Sequence, residues 1–197
     1  MVDVKKAVGA KLQASLVNHV LVQLERAIPG ASLPWGYIVS MGTKWVLLQV
    51  VDDGIYLDGY AAVRTRDITK VRRSKSGEFV KAALILKGQW PPMPPAVALD
   101  VSTTRGLLTS VASLVPLTTV FLERREADAC YIGTQQTVQG RWCELTLVTP
   151  RATWLNGARR YRLRDLTRVD FAGGYENALW AVGRQDLPPA RKPPTGQ

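Results

Sequence analysis

Arg64-Thr65-Arg66-Asp67-Ile68-Thr69-Lys70-Val71 is answered 98 positions later by Arg162-Leu163-Arg164-Asp165-Leu166-Thr167-Arg168-Val169. The same spacing relates Ala14-Ser15-Leu16-Val17 to Ala112-Ser113-Leu114-Val115, and Leu24-Glu25-Arg26 to Leu122-Glu123-Arg124. A repeat of this length means two copies of one small domain. The 197 residues divide into a first copy over 1–88, a proline-rich linker over 89–98, a second copy over 99–186 and a basic, proline-rich tail over 187–197 read as disordered. The linker run Gln89-Trp90-Pro91-Pro92-Met93-Pro94-Pro95 is stiff and short of N–H donors, so it cannot be a central strand.

Outward from the octet, both copies read alike: a helix, then five short strands. Val4, Ala7, Leu12 and Leu16 make the apolar stripe of the first helix. Ser102 or Thr103 caps the second, which carries Leu107, Leu108, Val111, Ala112 and Leu114 and ends at Pro116. Strand one covers 19–26 and 118–124, strand two opens near Gly36 and Gly133, and strand three covers 44–50 and 141–147. Asp58-Gly59 and Asn156-Gly157 are dipeptides that accept positive φ in a tight hairpin, so strand four is placed after them, at 60–66 and 160–164. Strand five follows at 69–72 and 167–170, then a short helix at 78–84 and 176–182. The expected fold is mainly β: two tandem small five-stranded barrels, each preceded by an N-terminal helix, with closure removing the sheet edges.

Composition narrows the classes. With 46% hydrophobic and 21% charged residues the chain is ordinarily globular. It has no apolar run of ~18 residues, so no membrane span is expected. Residues 1–16 are too polar and broken for the apolar core of a signal peptide. Two cysteines make no disulfide framework, and a cytoplasmic setting is expected. The net charge of +10 is shared: residues 1–98 hold 13 basic and 7 acidic residues, residues 99–197 hold 13 and 9. Such a balance favours phosphate-bearing partners.

A helix followed by five strands, a glycine opening strand two, and a closing strand, turn and short strand resemble the Sm/Lsm family of small barrels, over residues 3–73 and 101–171. The resemblance implies RNA as ligand, and a homo-oligomer or ring in which strand four of one barrel joins strand five of the next. The family's aspartate–asparagine pair is replaced by Ser40-Met41-Gly42-Thr43 and Thr137-Val138-Gln139-Gly140, and its arginine–glycine motif by Arg66-Asp67 and Arg164-Asp165. The family's uridine pocket is therefore not carried over. An SH3-like barrel of other ancestry accounts for the strand pattern nearly as well.

The candidate binding residues are basic. Strand alternation puts Arg64 and Arg66 on one face, and Arg160, Arg162 and Arg164 on one face, with Lys70, Arg72, Arg73 and Arg168 extending the two patches. Guanidinium groups present paired donors suited to phosphate. Trp45, Trp142 and Tyr37 are candidates for base stacking, with packing as the alternative for the tryptophans. Asp67 and Asp165 read as turn residues accepting N–H bonds from Thr69 and Thr167. Asp52, Asp53 and Asp58 are not matched in the second copy and read as a turn, not as a metal site. A lone histidine, His19, excludes a multi-histidine centre, and Cys130 and Cys143 read as ordinary buried thiols.

The function expected is non-catalytic binding of single-stranded RNA, or of single-stranded DNA, with no cofactor and no metal. The alternative is a protein-interaction scaffold assembled through barrel edges.

Overall fold

The structure is a computed structural model and describes residues 2–188. Its elements are α1 (Val2–Val17), β1 (Leu21–Arg26), β2 (Trp35–Met41), β3 (Trp45–Val51), β4 (Leu57–Arg64), β5 (Ile68–Arg73) and α2 (Gly77–Leu86), then α3 (Thr104–Leu114), β6 (Thr118–Phe121), β7 (Cys130–Gln139), β8 (Trp142–Val148), β9 (Trp154–Arg162), β10 (Arg168–Phe171) and α4 (Gly174–Gly183). The two halves repeat the same helix, five strands and helix. The predicted cap of α3 is in place, with the Thr103 hydroxyl accepting the Gly106 N–H at 2.9 Å.

The strands do not form two closed barrels. They lie in one ten-stranded antiparallel sheet of order β5-β1-β2-β3-β4-β10-β6-β7-β8-β9. Strand four of the first half joins strand five of the second, the contact expected between barrels, made here inside one chain: β4 lies beside β10, pairing Tyr60 with Phe171, Ala61 with Asp170, Ala62 with Val169 and Val63 with Arg168. The reason lies in side chains: Ala61, Ala62 and Val63 are fully buried, as are Val169, opposite Ala62, and Phe171, opposite Tyr60. A lone 3-10 turn, Thr65–Asp67, separates β4 from β5 and sends the chain off in a new direction. The mainly β class stands; barrel closure does not.

The junction is a true core. One apolar cluster joins Val39, Trp45, Leu47 and Ala62 of the first half to Leu107, Leu108, Val120, Leu145 and Phe171 of the second. Strand β3 is buried on both faces, with Val46 and Leu48 in a second cluster under α1 with Leu12 and Val22. The linker is tied down over β3 and β4: the Gln49 side chain accepts the Met93 N–H at 2.8 Å, and Gln89 accepts the Leu57 N–H at 2.9 Å. Trp90 packs edge-on against Tyr37, and the Trp45 N–H bonds the Val101 carbonyl at 3.0 Å.

Three local expectations are corrected. Asp58-Gly59 and Asn156-Gly157 are not the hairpin turns but lie inside β4 and β9. Gly59 and Gly157 hold φ of 65° and 76°, beside register shifts at Gln49/Val51 and Thr146/Val148. The β3–β4 turn is at Asp52–Tyr56, where Asp52 accepts the Tyr56 N–H. Second, the strand pairings displace the Leu-Glu-Arg match. Val22 pairs with Gly36 and Thr118 with Gly133, so Val22 corresponds to Thr118, and Leu122-Glu123-Arg124 fall past the end of β6. Gly36 and Gly133 are equivalent on independent grounds: a Cβ on either would sit 2.2 or 2.3 Å from the carbonyl oxygen of Gln49 or Thr146. Third, Cys130 is exposed; only Cys143 is buried, and burial pushes its thiol up to about 12. Most of the tail, from 189 on, lies outside the described residues. Among the described residues no helix is long and apolar enough to cross a membrane.

Candidate nucleic-acid interface

The repeated octet was expected to display its arginines along a strand face. The structure divides them. Strand β4 ends at Arg64 and β9 at Arg162, so alternation does not extend through the turns. Arg64 turns inward and is 1% exposed. Its guanidinium lies over the Trp45 ring, 5.5 Å from the centroid, and donates to the Leu163 carbonyl at 2.6 Å and the Arg164 carbonyl at 2.7 Å. Burial, and next the charge of Arg66, lower its pKa to about 10. Arg64 therefore staples the two halves and is no surface ligand for phosphate.

Arg168 is also absorbed by the seam. It grips Asp170 through two bonds, at 2.7 and 2.5 Å, donates to the Ser32 hydroxyl at 2.6 Å and covers the Phe121 ring. Asp67 is buried and accepts from Arg124 at 2.8 Å across the seam, not from the Thr69 N–H, so the proposed turn role is replaced by an inter-repeat ion pair. The strongest cross-seam pair was not foreseen: Arg26 donates to both Glu123 oxygens at 2.6 Å, both side chains are buried, and the Thr167 hydroxyl also donates to Glu123.

The stacking candidates divide in the same way. Trp45 is 0% exposed and its indole N–H donates to the Thr104 hydroxyl at 3.3 Å. Tyr37 is buried beneath α2 and Trp90, and burial raises its phenol to about 12. Neither can meet a base. Trp142 can: it is half-buried at the start of β8, with the guanidinium carbons of Arg162 and Arg160 at 5.0 and 5.5 Å from its ring.

Around Trp142 a hollow of about 470 Å³ opens at the mouth of the seam. It takes Lys44 from the turn before β3, Thr103, Thr104 and Arg105 from the start of α3, Gly140 and Arg141 from the turn before β8, and Arg162, Leu163 and Arg164 from the end of β9. Five cationic side chains and no carboxylate line it. Arg105 donates to the Gly140 carbonyl at 2.8 Å, and Arg164 has Asp165 at 3.6 Å. The first turn of an eleven-residue helix adds the positive end of its dipole. A concave, cation-lined surface with one aromatic wall can neutralise phosphates and take a base on the ring.

Lys44, Arg105 and Arg141 were not among the sequence candidates. Lys44 and Arg141 had a signal: each directly precedes the repeated tryptophan, as Lys44-Trp45 and Arg141-Trp142. Arg105 had none, since only the docking of α3 beside β8 brings it in. Of the remaining candidates, Arg160 shares the Trp142 ring with Arg162 but does not line the hollow, and the others lie apart. Lys70, Arg72 and Arg73 line β5, at the far edge of the sheet; Arg72 is paired with Glu25, and Arg73 with Glu78 at 3.3 Å. Arg66 is exposed on the 3-10 turn, 3.7 Å from Asp67. Arg160 is exposed on β9, 2.9 Å from Glu144.

Compared with known protein families, with curated proteins and with solved structures, the chain finds no match.

Proposed function

We propose that this protein binds single-stranded RNA, without chemistry on it, through the cationic hollow around Trp142. The observation that carries this reading is the hollow itself: Lys44, Arg105, Arg141, Arg162 and Arg164 converge on one aromatic wall with no carboxylate among them. Basic side chains that face only solvent are spread and interleaved with acids; here they are gathered in a concavity. Lys70, Arg72 and Arg73 on β5, with Arg66, form a second, outlying basic strip that a longer strand can reach. Backbone neutralisation supplies most of the affinity, and stacking on Trp142 the remainder. The helix-plus-five-strand order of each half supports the Sm-like reading at the level of element order. Two free thiols and no disulfide fit a cytoplasmic site of action.

Fluorescence anisotropy of a labelled single-stranded RNA tests the proposal. The wild-type chain binds at low salt, and Arg141→Glu/Arg162→Glu, both at exposed positions, loses that binding while keeping its circular dichroism. Equal affinity in the double variant would remove the hollow from the account. Single-stranded DNA in the same assay shows whether the 2′-hydroxyl matters.

A further inference from the structure

Trp142 and Arg162 border two hollows, not one. The second, of about 500 Å³, takes Arg125 and Glu126 from the turn after β6, Tyr131 from β7, and Arg159 and Arg160 from β9. Like the first it is lined by cations, here four arginines. It differs in one group: it holds a carboxylate, Glu126. Adjoining hollows that share an aromatic wall suit consecutive nucleotides of one strand.

Glu126 is held in place without being neutralised. Its N–H donates to the Leu122 carbonyl at 3.0 Å, and its carbonyl accepts the Ala129 N–H at 3.3 Å, which fixes the backbone. The Tyr131 hydroxyl donates to its carboxylate, and the Tyr131 ring rests on Tyr161, with centroids 5.1 Å apart. Arg125 and Arg160 are paired elsewhere, with Asp165 and Glu144, each at 2.9 Å. Among the described residues no cation is within ion-pair distance of Glu126, although four arginines line the same hollow.

The repeat shows that the fold does not require this set. Trp45 pairs with Arg64 and Trp142 with Arg162, so the equivalents of Arg159, Arg160 and Tyr161 are Ala61, Ala62 and Val63. The matched glycines, Gly36 and Gly133, make Pro34 the equivalent of Tyr131. In the first copy that edge is apolar and covered by the seam. Arginines alone suffice to blunt an open sheet edge. They do not account for a carboxylate oriented by a tyrosine among them.

An ionised carboxylate only accepts hydrogen bonds. On its Watson–Crick edge guanine alone presents two adjacent donors, N1–H and the N2 amine, which match the two carboxylate oxygens. Uracil sets its N3–H between two carbonyls, and adenine and cytosine each set a ring acceptor beside the amine. Each of these turns a lone pair on the carboxylate. Bases of single strands are read on this edge while stacked on aromatic or guanidinium planes, and O6 and N7 of guanine suit arginine donors. We infer that the second hollow is a guanine-selective subsite, in which Glu126 accepts from N1–H and the N2 amine and Arg159 donates to O6 and N7, while the neighbouring nucleotide lies in the first hollow. The subsite rests on the RNA-binding reading above; its selectivity is a separate claim.

Fluorescence anisotropy with labelled single-stranded RNAs tests this on the full chain. The probes are a uridine oligomer and the same oligomer with one central uridine replaced by guanosine, inosine or adenosine. The wild-type protein binds the guanosine RNA about tenfold more tightly than the uridine or adenosine RNA. Inosine, which lacks the N2 amine, loses most of that gain. Glu126→Gln, at an exposed position, keeps its circular dichroism and no longer distinguishes guanosine. It binds the uridine RNA at least as tightly as the wild type does, because one negative charge is gone. Tyr131→Phe keeps the ring but releases the carboxylate, and reduces the preference without reducing affinity for the uridine RNA. If the wild type binds all four RNAs alike, RNA binding stands and the guanine subsite falls. If guanosine is preferred but Glu126→Gln keeps the preference, Glu126 is not the reader and the assignment falls. If the wild type binds none of them, the RNA-binding reading falls and takes the subsite with it.

Discussion

Arg64 and Arg162 hold the same place in the two repeats, each with its guanidinium over a tryptophan ring, yet Arg64 is sealed in the seam and Arg162 faces solvent. One sequence element thus does two jobs, and the difference comes from what lies beyond it. Arg64 has the other half of the chain above it; Arg162 has the open hollow.

Their variants should therefore behave oppositely. Arg64→Ala leaves the Leu163 and Arg164 carbonyls without their charged donor and a void over Trp45, and should cost on the order of 3 kcal/mol in urea denaturation. Arg162→Ala should change stability by less than about 0.5 kcal/mol and weaken RNA binding. Loss of RNA affinity in a fully folded Arg64→Ala protein, with none in Arg162→Ala, would reverse these assignments.

The Arg26–Glu123 pair tests whether the halves fold as one. Both side chains are buried, so Glu123→Ala strands a charge and should cost about 3–5 kcal/mol, while Arg26→Met/Glu123→Leu together should recover most of it. Because the pair spans the seam and one apolar cluster joins the halves, the wild-type chain should show a single unfolding transition by both fluorescence and circular dichroism. Two separated transitions would mean that the seam contributes little.

Thiol chemistry reports on the core independently. Cys143 is buried and its pKa pushed up to about 12, whereas Cys130 is exposed. At neutral pH the native protein should yield one labelled cysteine, Cys130, and the denatured protein two. Rapid labelling of Cys143 in the native state would show that β8 is not packed as described.

Stacking can be read by photocrosslinking. Irradiation of the RNA complex should place the crosslinked nucleotide on the peptide carrying Trp142 and leave the peptide carrying Trp45 unmodified, since that ring is enclosed. A crosslink at Trp45 would require the seam to open.

Much of this arrangement was legible in the sequence, because local chemistry decides it. The repeat, both sets of five strands, the Thr103 cap and the short helices after β5 and β10 follow from alternation, capping and glycine placement. What escaped depends on partners distant in sequence. Barrel closure was a reasonable expectation for each copy alone, but Ala61, Ala62 and Val63 make β4 an apolar edge that fits β10. In the first copy the arginine ladder failed because a 3-10 turn at Thr65–Asp67 interrupts the alternation that would have kept Arg64 and Arg66 on one face, whereas in the second Arg160 and Arg162 share a face over Trp142. Asp58-Gly59 misled because a glycine with positive φ serves a strand bulge as well as a turn. In the site, Trp142 and Arg162 were legible from the repeat, and Lys44 and Arg141 could have been from their place before the tryptophans. Arg105 became visible only once α3 was docked.

The most direct test of RNA binding through the hollow is the salt dependence of affinity for one labelled single-stranded RNA, measured for the wild type and for Arg105→Glu/Arg141→Glu/Arg162→Glu. The account predicts wild-type binding whose logarithm falls linearly with the logarithm of salt concentration, and a folded triple variant weakened more than about tenfold with a shallower slope. Wild-type affinity that ignores salt, or a triple variant that binds as tightly with the same slope, would contradict it.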